Sequence, residues 1–391
     1  MYKVGIDTAA FYTPRYFLDL KTLAKARNVD PNKYYTGLGQ EKMSVAPPDE
    51  SVVTMAANAG FEVLKDVNPQ DIEMLLFATE TGVDQSKAAG IYVHHLLNLP
   101  ARCRVLELKQ ACYSSTGGLK LALPFLQQNP TKKILLIASD IARYGLNTQG
   151  ESSQGAGAVA MILSANPRLM SIDPESGFYT EDTMDFWRPN YREEALVEGK
   201  YSCELYLKGL EKTWQQYQHL SGRNFKDLDY LCYHIPIPRL AEKAHYKLST
   251  LNSDKNVSID IANQQLAKTL KYSRTVGNCY TGALYLGLLS LLDYSQEDLS
   301  YSRVGMYSYG SGCVCEFFSG VIEPSYQEVS HKIYHQNLLK NRTELSQQEY
   351  EAFYNFKYPT DGSNIQIPKH HTGHYRLSAV QQHKPIYETI S

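Results

Sequence analysis

The sequence predicts a duplicated α/β protein, with two halves that face each other across a pseudo-twofold axis. Two observations carry this reading. Through the first 165 residues, apolar strand-like runs alternate with helical patterns, as in α/β folds with buried sheets. The second half then repeats the first. Gly155 to Ala165, GAGAVAMILSA, aligns with Gly310 to Gly320, GSGCVCEFFSG, sharing the Gly-x-Gly start, Val159 with Val314 and Ser164 with Ser319. Ahead of each lies a cysteine-bearing helix start, ACYSSTGGLKLAL at Ala111 and NCYTGALYLGLLSLL at Asn278. A chain of 391 residues also exceeds one small core and favours two.

In order, Tyr2 to Ile6 reads as a strand, and Asp19 opens a helix that Pro31 closes. Ser51 to Leu64 is a second amphipathic helix. Met74 to Thr79 is a buried strand with Glu80 at its C-terminal end, and Gly90 to Leu97 is helical. Val105 to Leu108 is a strand that turns sharply at Ala111-Cys112 into a helix with Leu119, Leu121 and Leu123. Lys133 to Ala138 is another buried strand, followed by Ser139, Asp140 and a turn-rich segment, and Gly155 to Ser164 completes the set. The halves divide as 1–166 and 167–391. Asp173 to Asp227 shows no counterpart in the first half, carries many aromatics and is expected to cap the cleft. Residues after about Tyr326 read as a polar tail, in which His370, His371 and His374 form a solvated cluster rather than a metal site.

Composition excludes several classes. The net charge is −2 with basic residues unclustered, so nucleic acid is not an expected partner. The longest apolar stretch, Gly282 to Leu292, is too short to span a membrane. The chain runs from Met1-Tyr2-Lys3-Val4 straight into a strand pattern without a signal peptide. Seven scattered cysteines and no CxxC pair argue against a disulfide framework or zinc. A reducing cytoplasm is the expected compartment.

Three residues share one kind of position. Cys112, Glu80 and His234 each follow an apolar strand, and strand C-termini of open α/β sheets are where ligands bind. A thiol at a helix start meets free backbone N–H groups and the positive end of the helix dipole, which is expected to favour thiolate. A free cysteine is more often a small buried hydrophobe, a solvated strand end suits Glu80 equally, and His234 also suits a core. Together the three supply a nucleophile, a base and a group to handle a carbonyl oxygen, the inventory for acyl transfer followed by carbon–carbon bond formation. Asn278 stands where an amide either donates to a substrate or caps a helix. The Ser308-Tyr-Gly-Ser311-Gly312 turn offers backbone N–H groups for an oxyanion hole, or serves only the turn.

At these residues the chain resembles the hydroxymethylglutaryl-CoA synthase family in its bacterial form, within the thiolase-like superfamily. The resemblance covers nearly the whole chain. It rests on ATETGVD with Glu80, ELKQACYSST with Cys112, RYGLN at Arg143, QGAGAVAM at Gln154 and YTEDTMDFWRP with Asp185. Further matches are the HIP start at His234, VGNCYTGALYLGL with Asn278, YSYGSG ending at Gly312, and the late NRTELSQQEYEAF.

The resemblance implies a layered α-β-α-β-α fold, a homodimer, and acetyl-CoA and acetoacetyl-CoA as substrates, with no metal, flavin or nicotinamide cofactor. It implies that Cys112 carries acetyl, Glu80 is the general acid/base and His234 engages the acetoacetyl acceptor. Tyr144, Asp185, Asn278, Ser308 and Ser311 match residues lining the family's site. Asp30, Ser153, Ser202 and Lys243 match ligand-contacting positions more loosely. The segment after the histidine departs from the family's lysine-rich HxPxTKMGKKAL: it reads HIPIPRLAEKAH, with Arg239 and Glu242 in place of lysines and only Lys243 retained. Arg239 is expected to hold a phosphate, whereas Glu242 adds negative charge near a polyanionic ligand. That departure keeps open a polyketide β-branching enzyme acting on carrier-protein-bound acceptors. A non-catalytic acyl-CoA-binding scaffold is the reading from another class, and the joint presence of glutamate, cysteine and histidine argues against it. The sequence leaves the dimer surface open, with an apolar strand such as Lys133 to Ala138 a candidate for pairing across it.

Overall fold

The computed structural model describes residues 2–252, 258–370 and 373–390. Nine strands form the main sheet: β1 (Val4–Tyr12), β2 (Ile72–Ala78), β3 (Arg104–Leu108), β4 (Lys133–Ala142), β5 (Gly155–Ala165), β6 (Met170–Thr180), β7 (Tyr230–Tyr233), β8 (Arg303–Gly310) and β9 (Val314–Ile322). Across the sheet they run β7-β8-β9-β6-β1-β5-β4-β2-β3. This order contains the repeat. In one half β1 pairs antiparallel with β5, β5 antiparallel with β4, and β4 parallel with β2. In the other, β6 pairs antiparallel with β9, β9 antiparallel with β8, and β8 parallel with β7. The two sets join where Gly5 and Ile6 meet Ser171 and Met170.

The helices repeat in the same order: α1 (Val52–Val63), α2 (Ala89–Leu96) and α3 (Ser114–Gln128), then α4 (Gly199–Ser221), α5 (Pro238–Leu251) and α6 (Ala283–Tyr294). Side-chain alternation along the strands sorts them into layers. Ile134 and Leu136 of β4 and Val159, Met161 and Leu163 of β5 pack with Leu119 and Ala122 of α3 and with α6. The intervening Leu135, Ile137, Ala158 and Ala160 face α1 and α2. Val304 and Met306 of β8 join the central cluster, whereas Tyr307 and Tyr309 face α4 and α5. The result is the expected five layers, with α3 and α6 in the middle. A helix in that position must be apolar all round, and α6, ALYLGLLSLLDY, is.

Local chemistry sets the boundaries. Ser51 and Thr54 form a capping box at the start of α1, with the Ser51 N–H donating to Thr54 Oγ1 at 2.8 Å. Asp19 caps the helix Leu20–Ala26 by accepting from the Lys21 N–H at 2.8 Å. That helix ends well before Pro31, and the chain turns at Asn28, whose φ is 53°. Gly118 lets α3 approach its sheet: a Cβ there would stand 2.9 Å from methyls of Leu108 and Leu136.

Three expectations are corrected. Asp173 to Asp227 is not an insertion, because it contains most of β6 and all of α4, the counterparts of β1 and α1. Its strand, MSIDPESGFYT, is half-exposed along its length, so it lacks the apolar alternation that marks the others. The true excursion is the stretch 181–198 between these elements, which holds the short strands Phe186–Trp187 and Leu196–Val197. The residues after Tyr326 are polar but folded: helices α7 (Lys332–Lys340) and α8 (Gln347–Asn355) and a C-terminal hairpin bury His335, Tyr350, Tyr375 and Leu377. Finally, Lys133 to Ala138 lies inside the sheet between β5 and β2, so its backbone is already paired on both sides. The free edge of this half is β3. Among the described residues no helix is long and apolar enough to cross a membrane.

Candidate active site

The chain reaches Cys112 through Ala111, a non-glycine residue held at φ 43°. This left-handed turn costs about 1 kcal/mol and reverses the chain between β3 and α3. It aims the sulfur back across the sheet, where the Cys112 thiol donates to Glu80 Oε1 at 3.0 Å. Glu80 follows β2, so nucleophile and base come from neighbouring parallel strands. The second half closes the site from above. Gly310, at the end of β8, lies so near the turn that a Cβ would stand 2.6 Å from the Gln110 carbonyl oxygen and Tyr113 Cβ. β7 runs parallel beside β8, and the His234 N–H donates to the Tyr307 carbonyl at 2.7 Å. His234 therefore leaves its strand beside the one that abuts Cys112. The equivalent helix starts also touch: Ser115 Oγ donates to the Thr281 carbonyl at 2.5 Å, and the Thr116 and Tyr285 hydroxyls are 3.0 Å apart.

Burial governs the protonation states. The Glu80 carboxyl is pushed up to about 8, first by burial and then by the charge of Asp140, against the lowering effects of the Cys112 thiol and Arg188. The Cys112 thiol is raised well above its usual value by burial, then by the Glu80 charge. This corrects the expected thiolate. Helix α3 begins only at Ser114, and the sulfur faces a carboxylate rather than the helix N–H groups. Glu80 thus stands beside the sulfur, within reach of a group carried on it. Burial lowers His234 to about 3, so its ring is neutral at physiological pH and presents one N–H donor and one acceptor.

A buried carboxylate that the sequence reading passed over organises the floor. Asp140 Oδ1 accepts the Glu80 N–H at 2.9 Å and the hydroxyls of Thr79 at 2.9 Å and Thr81 at 2.8 Å. Its Oδ2 accepts the Thr281 N–H at 3.1 Å and the Thr281 hydroxyl. It ties the base to both halves. Its signal was available, since Asp140 follows an apolar strand just as Glu80 does. From above, Arg188 of the excursion donates to the Glu80 carbonyl. Tyr144, Phe186 and Tyr280 form an aromatic wall with centroids 5.7–6.1 Å apart.

The remaining candidates divide into groups. Asn278 is engaged within the fold: its Oδ1 accepts the Tyr280 N–H at 2.9 Å, and its Nδ2 donates to the Tyr144 hydroxyl at 3.5 Å. Asp185 is fully buried and engaged, accepting from Ser202 at 2.8 Å, Tyr309 at 2.6 Å and the Gly312 N–H at 2.8 Å. It anchors the excursion, and the Gly312 amide is committed to it rather than to an oxyanion hole. Ser308 is buried on β8, and Ser311 meets the turn through its carbonyl, which accepts from Gln110 Nε2 at 3.2 Å. Ser153 Oγ donates to the Gly150 carbonyl at 2.8 Å. Asp30 and Lys243 are exposed; Asp30 accepts from the Asn32 N–H at 2.9 Å, and the Lys243 charge acts on Cys203, beside Ser202.

Glu242 is not the loose negative charge that the sequence suggested. It is buried between Arg239, at 2.6 Å, and Arg274, at 2.8 Å. Arg239 is correspondingly occupied, since it also donates to the Thr36 carbonyl at 2.7 Å. These ion pairs tie the start of α5 to the 36–39 loop. The histidines near the C-terminus separate: the His370 ring packs edge-on against Phe353 at 4.9 Å, the His374 ring leans on Phe61 at 4.6 Å, and His371 lies outside the described residues. Among the described residues no cluster is suited to a metal ion.

Comparisons with known proteins agree with this geometry. The family model "Hydroxymethylglutaryl-coenzyme A synthase N terminal" matches residues 2–167, and its C-terminal companion matches 171–260 and 250–369. The chain is 40% identical to the hydroxymethylglutaryl-CoA synthase of Enterococcus faecalis over 358 residues, 92% of this chain and 93% of that one. It is 35% identical to the polyketide biosynthesis 3-hydroxy-3-methylglutaryl-ACP synthase of Bacillus subtilis over 375 residues, 90% of this chain and 88% of that one. A crystal structure of an HMG-CoA synthase complexed with CoA superposes with a TM-score of 0.94 at 39% identity, covering 99% of this chain and all of that one. With a thiol, a part-buried carboxylate and a neutral imidazole delivered by matching strand ends, the chain belongs to the hydroxymethylglutaryl-CoA synthase family.

Proposed function

We propose that this enzyme condenses acetyl-CoA with acetoacetyl-CoA and water to give 3-hydroxy-3-methylglutaryl-CoA and CoA, as a cytoplasmic homodimer in a mevalonate route to isoprenoids. The observation that carries the reaction is the 3.0 Å contact between the Cys112 thiol and the part-buried Glu80 carboxylate. Cys112, held 3.0 Å from the Glu80 carboxylate, attacks the thioester carbonyl of acetyl-CoA. CoA leaves as its sulfur takes the proton given up by Cys112, so Glu80 remains free to act as a base. Glu80 then removes a proton from the acetyl methyl group, which lies next to it because the sulfur does. The resulting carbon attacks the ketone of acetoacetyl-CoA, and the neutral His234 ring donates to the alkoxide. Water hydrolyses the enzyme thioester. Every step uses side chains of this chain, and the reading calls for no metal or redox cofactor.

The carrier-protein reading drew its support from the Arg239 and Glu242 departures. Glu242 is buried and paired with Arg239 and Arg274, which accounts for both departures as fold contacts and favours free acetoacetyl-CoA as the acceptor. The test is mass spectrometry of the intact protein mixed with acetyl-CoA, then with acetoacetyl-CoA or an acetoacetyl carrier protein. Cys112 should gain acetyl and lose it to product only with the CoA acceptor. Cys112→Ser should gain nothing, and His234→Ala should load acetyl yet not condense. Discharge by the carrier protein alone would overturn the choice of acceptor.

A further inference from the structure

The peptide of Glu80 is clamped at both ends by opposite charges from different parts of the fold. Its N–H is held at 2.9 Å by Asp140, at the end of β4 beneath it. Its C=O accepts from the guanidinium of Arg188, which descends from the excursion above. The excursion cannot swing freely, because Asp185, three residues earlier, is bound by Ser202, Tyr309 and the Gly312 N–H. Arg188 also lines a cleft of about 1500 Å³ that reaches Glu80 and runs along the free edge of β3.

We propose that Arg188 is the positioning residue of the general base: it fixes the Glu80 peptide and supplies the positive charge that keeps the side chain available as carboxylate. Asp140 alone would do the opposite. It holds the backbone but places a second negative charge beside the base, and like charges disfavour ionisation. A planar guanidinium with several donors can hold the carbonyl and still face the carboxylate electrostatically, as a single point donor cannot. The excursion therefore serves the chemistry as well as covering it. When the base is stripped of this counter-charge, the carboxylate forms only at higher pH, and the condensation step suffers while acetyl loading does not.

This inference rests on Glu80 being the base of condensation, and the experiment separates the two claims. Acetyl-enzyme is prepared from acetyl-CoA, then mixed with acetoacetyl-CoA across pH 6 to 10, and condensation is read by loss of the acetyl mass. In Arg188→Met the acid limb of the rate should move up by about one pH unit, the scale of a nearby opposite charge on a carboxylate. Arg188→Gln keeps a donor for the Glu80 carbonyl but not the charge, and should show the same shift. Arg188→Lys should return the limb towards its original position with the rate only partly restored. Glu80→Gln is the control and should load acetyl without condensing. If Glu80→Gln still condenses, the base assignment fails. If it does not, and the limb stays in place in both neutral variants, the role given to Arg188 is overturned on its own. Loss of acetyl loading in both neutral variants also overturns it, because Arg188 would then serve folding or the first step.

Discussion

At the scale of single residues, the site accepts a cost in stability to hold a usable base. Glu80 ionises in water near 4.5 but is pushed up to about 8 in the fold by burial and by Asp140. A carboxyl whose folded value is raised favours the native state below its unfolded value. That contribution is lost as pH climbs from about 4.5 through 8. Glu80→Gln stays neutral throughout and escapes the loss. Its stability advantage over the parent should therefore be small at pH 5 and grow to about 1–3 kcal/mol by pH 8, while condensation falls by about 10²–10⁴-fold. Urea unfolding at the two pH values checks this, and an advantage that is flat with pH would show that the carboxyl is not held in its protonated form. The reactive residues were the most legible part of the site, because Glu80, Cys112 and His234 each interrupt an apolar strand at its C-terminal end. Their protonation states were not legible. The helix start at Cys112 suggested thiolate, but only the fold shows that Glu80 lies closer to the sulfur than the helix N–H groups do. Arg188 was hidden for the same reason, since its partner is distant in sequence.

At the scale of elements, helix α8 shows how a polar segment supports a wall it does not touch. Tyr350 is buried, and its hydroxyl accepts from Gln154 Nε2 at 2.9 Å while donating to Glu151 Oε1 at 3.2 Å. Gln154 Oε1 in turn accepts the Tyr144 N–H at 2.9 Å, and Glu151 is held by Arg27 through two bonds of 2.7 and 2.8 Å. The chain of contacts runs from the C-terminal region to the aromatic wall of the site. Tyr350→Phe keeps the ring but leaves the buried Gln154 amide without its acceptor, a loss of about 1–3 kcal/mol. Thermal unfolding should show that loss, and the turnover rate should fall several-fold as Tyr144 loosens. Unchanged turnover would confine Tyr350 to the fold. Strands and helices with strong apolar periodicity were read correctly from sequence, including the helix beginning at Ser51 and the duplicated Gly-x-Gly region. β6 was not, because a strand at the joint between halves has exposed faces and carries Asp173, Pro174, Glu175 and Ser176. α8 was not, because its buried surface is built from tyrosine and hydrogen bonds rather than from aliphatic side chains.

At the scale of the whole molecule, one sheet edge lies next to the site and is left open. β3 pairs with β2 on one side only, and its central Leu106 is 55% exposed, between half-buried Val105 and Leu108. An unpaired apolar edge invites another strand unless something covers it. A twofold axis through β3 would pair it antiparallel with its own copy and make one continuous sheet through both molecules, an isologous contact that closes on itself. The same contact would wall off the Glu80 cleft, whose lining includes Val105, Leu106 and Glu107. This replaces Lys133 to Ala138 as the candidate dimer contact, since a strand already paired on both sides has no backbone groups to offer. Leu106→Lys places a charge at the centre of the proposed seam while leaving the folded monomer intact, because most of that side chain already faces solvent. Sedimentation at micromolar concentration should give a dimer for the parent and a monomer for Leu106→Lys. A dimer of unchanged affinity in Leu106→Lys would move the interface elsewhere, and a monomeric parent would remove it.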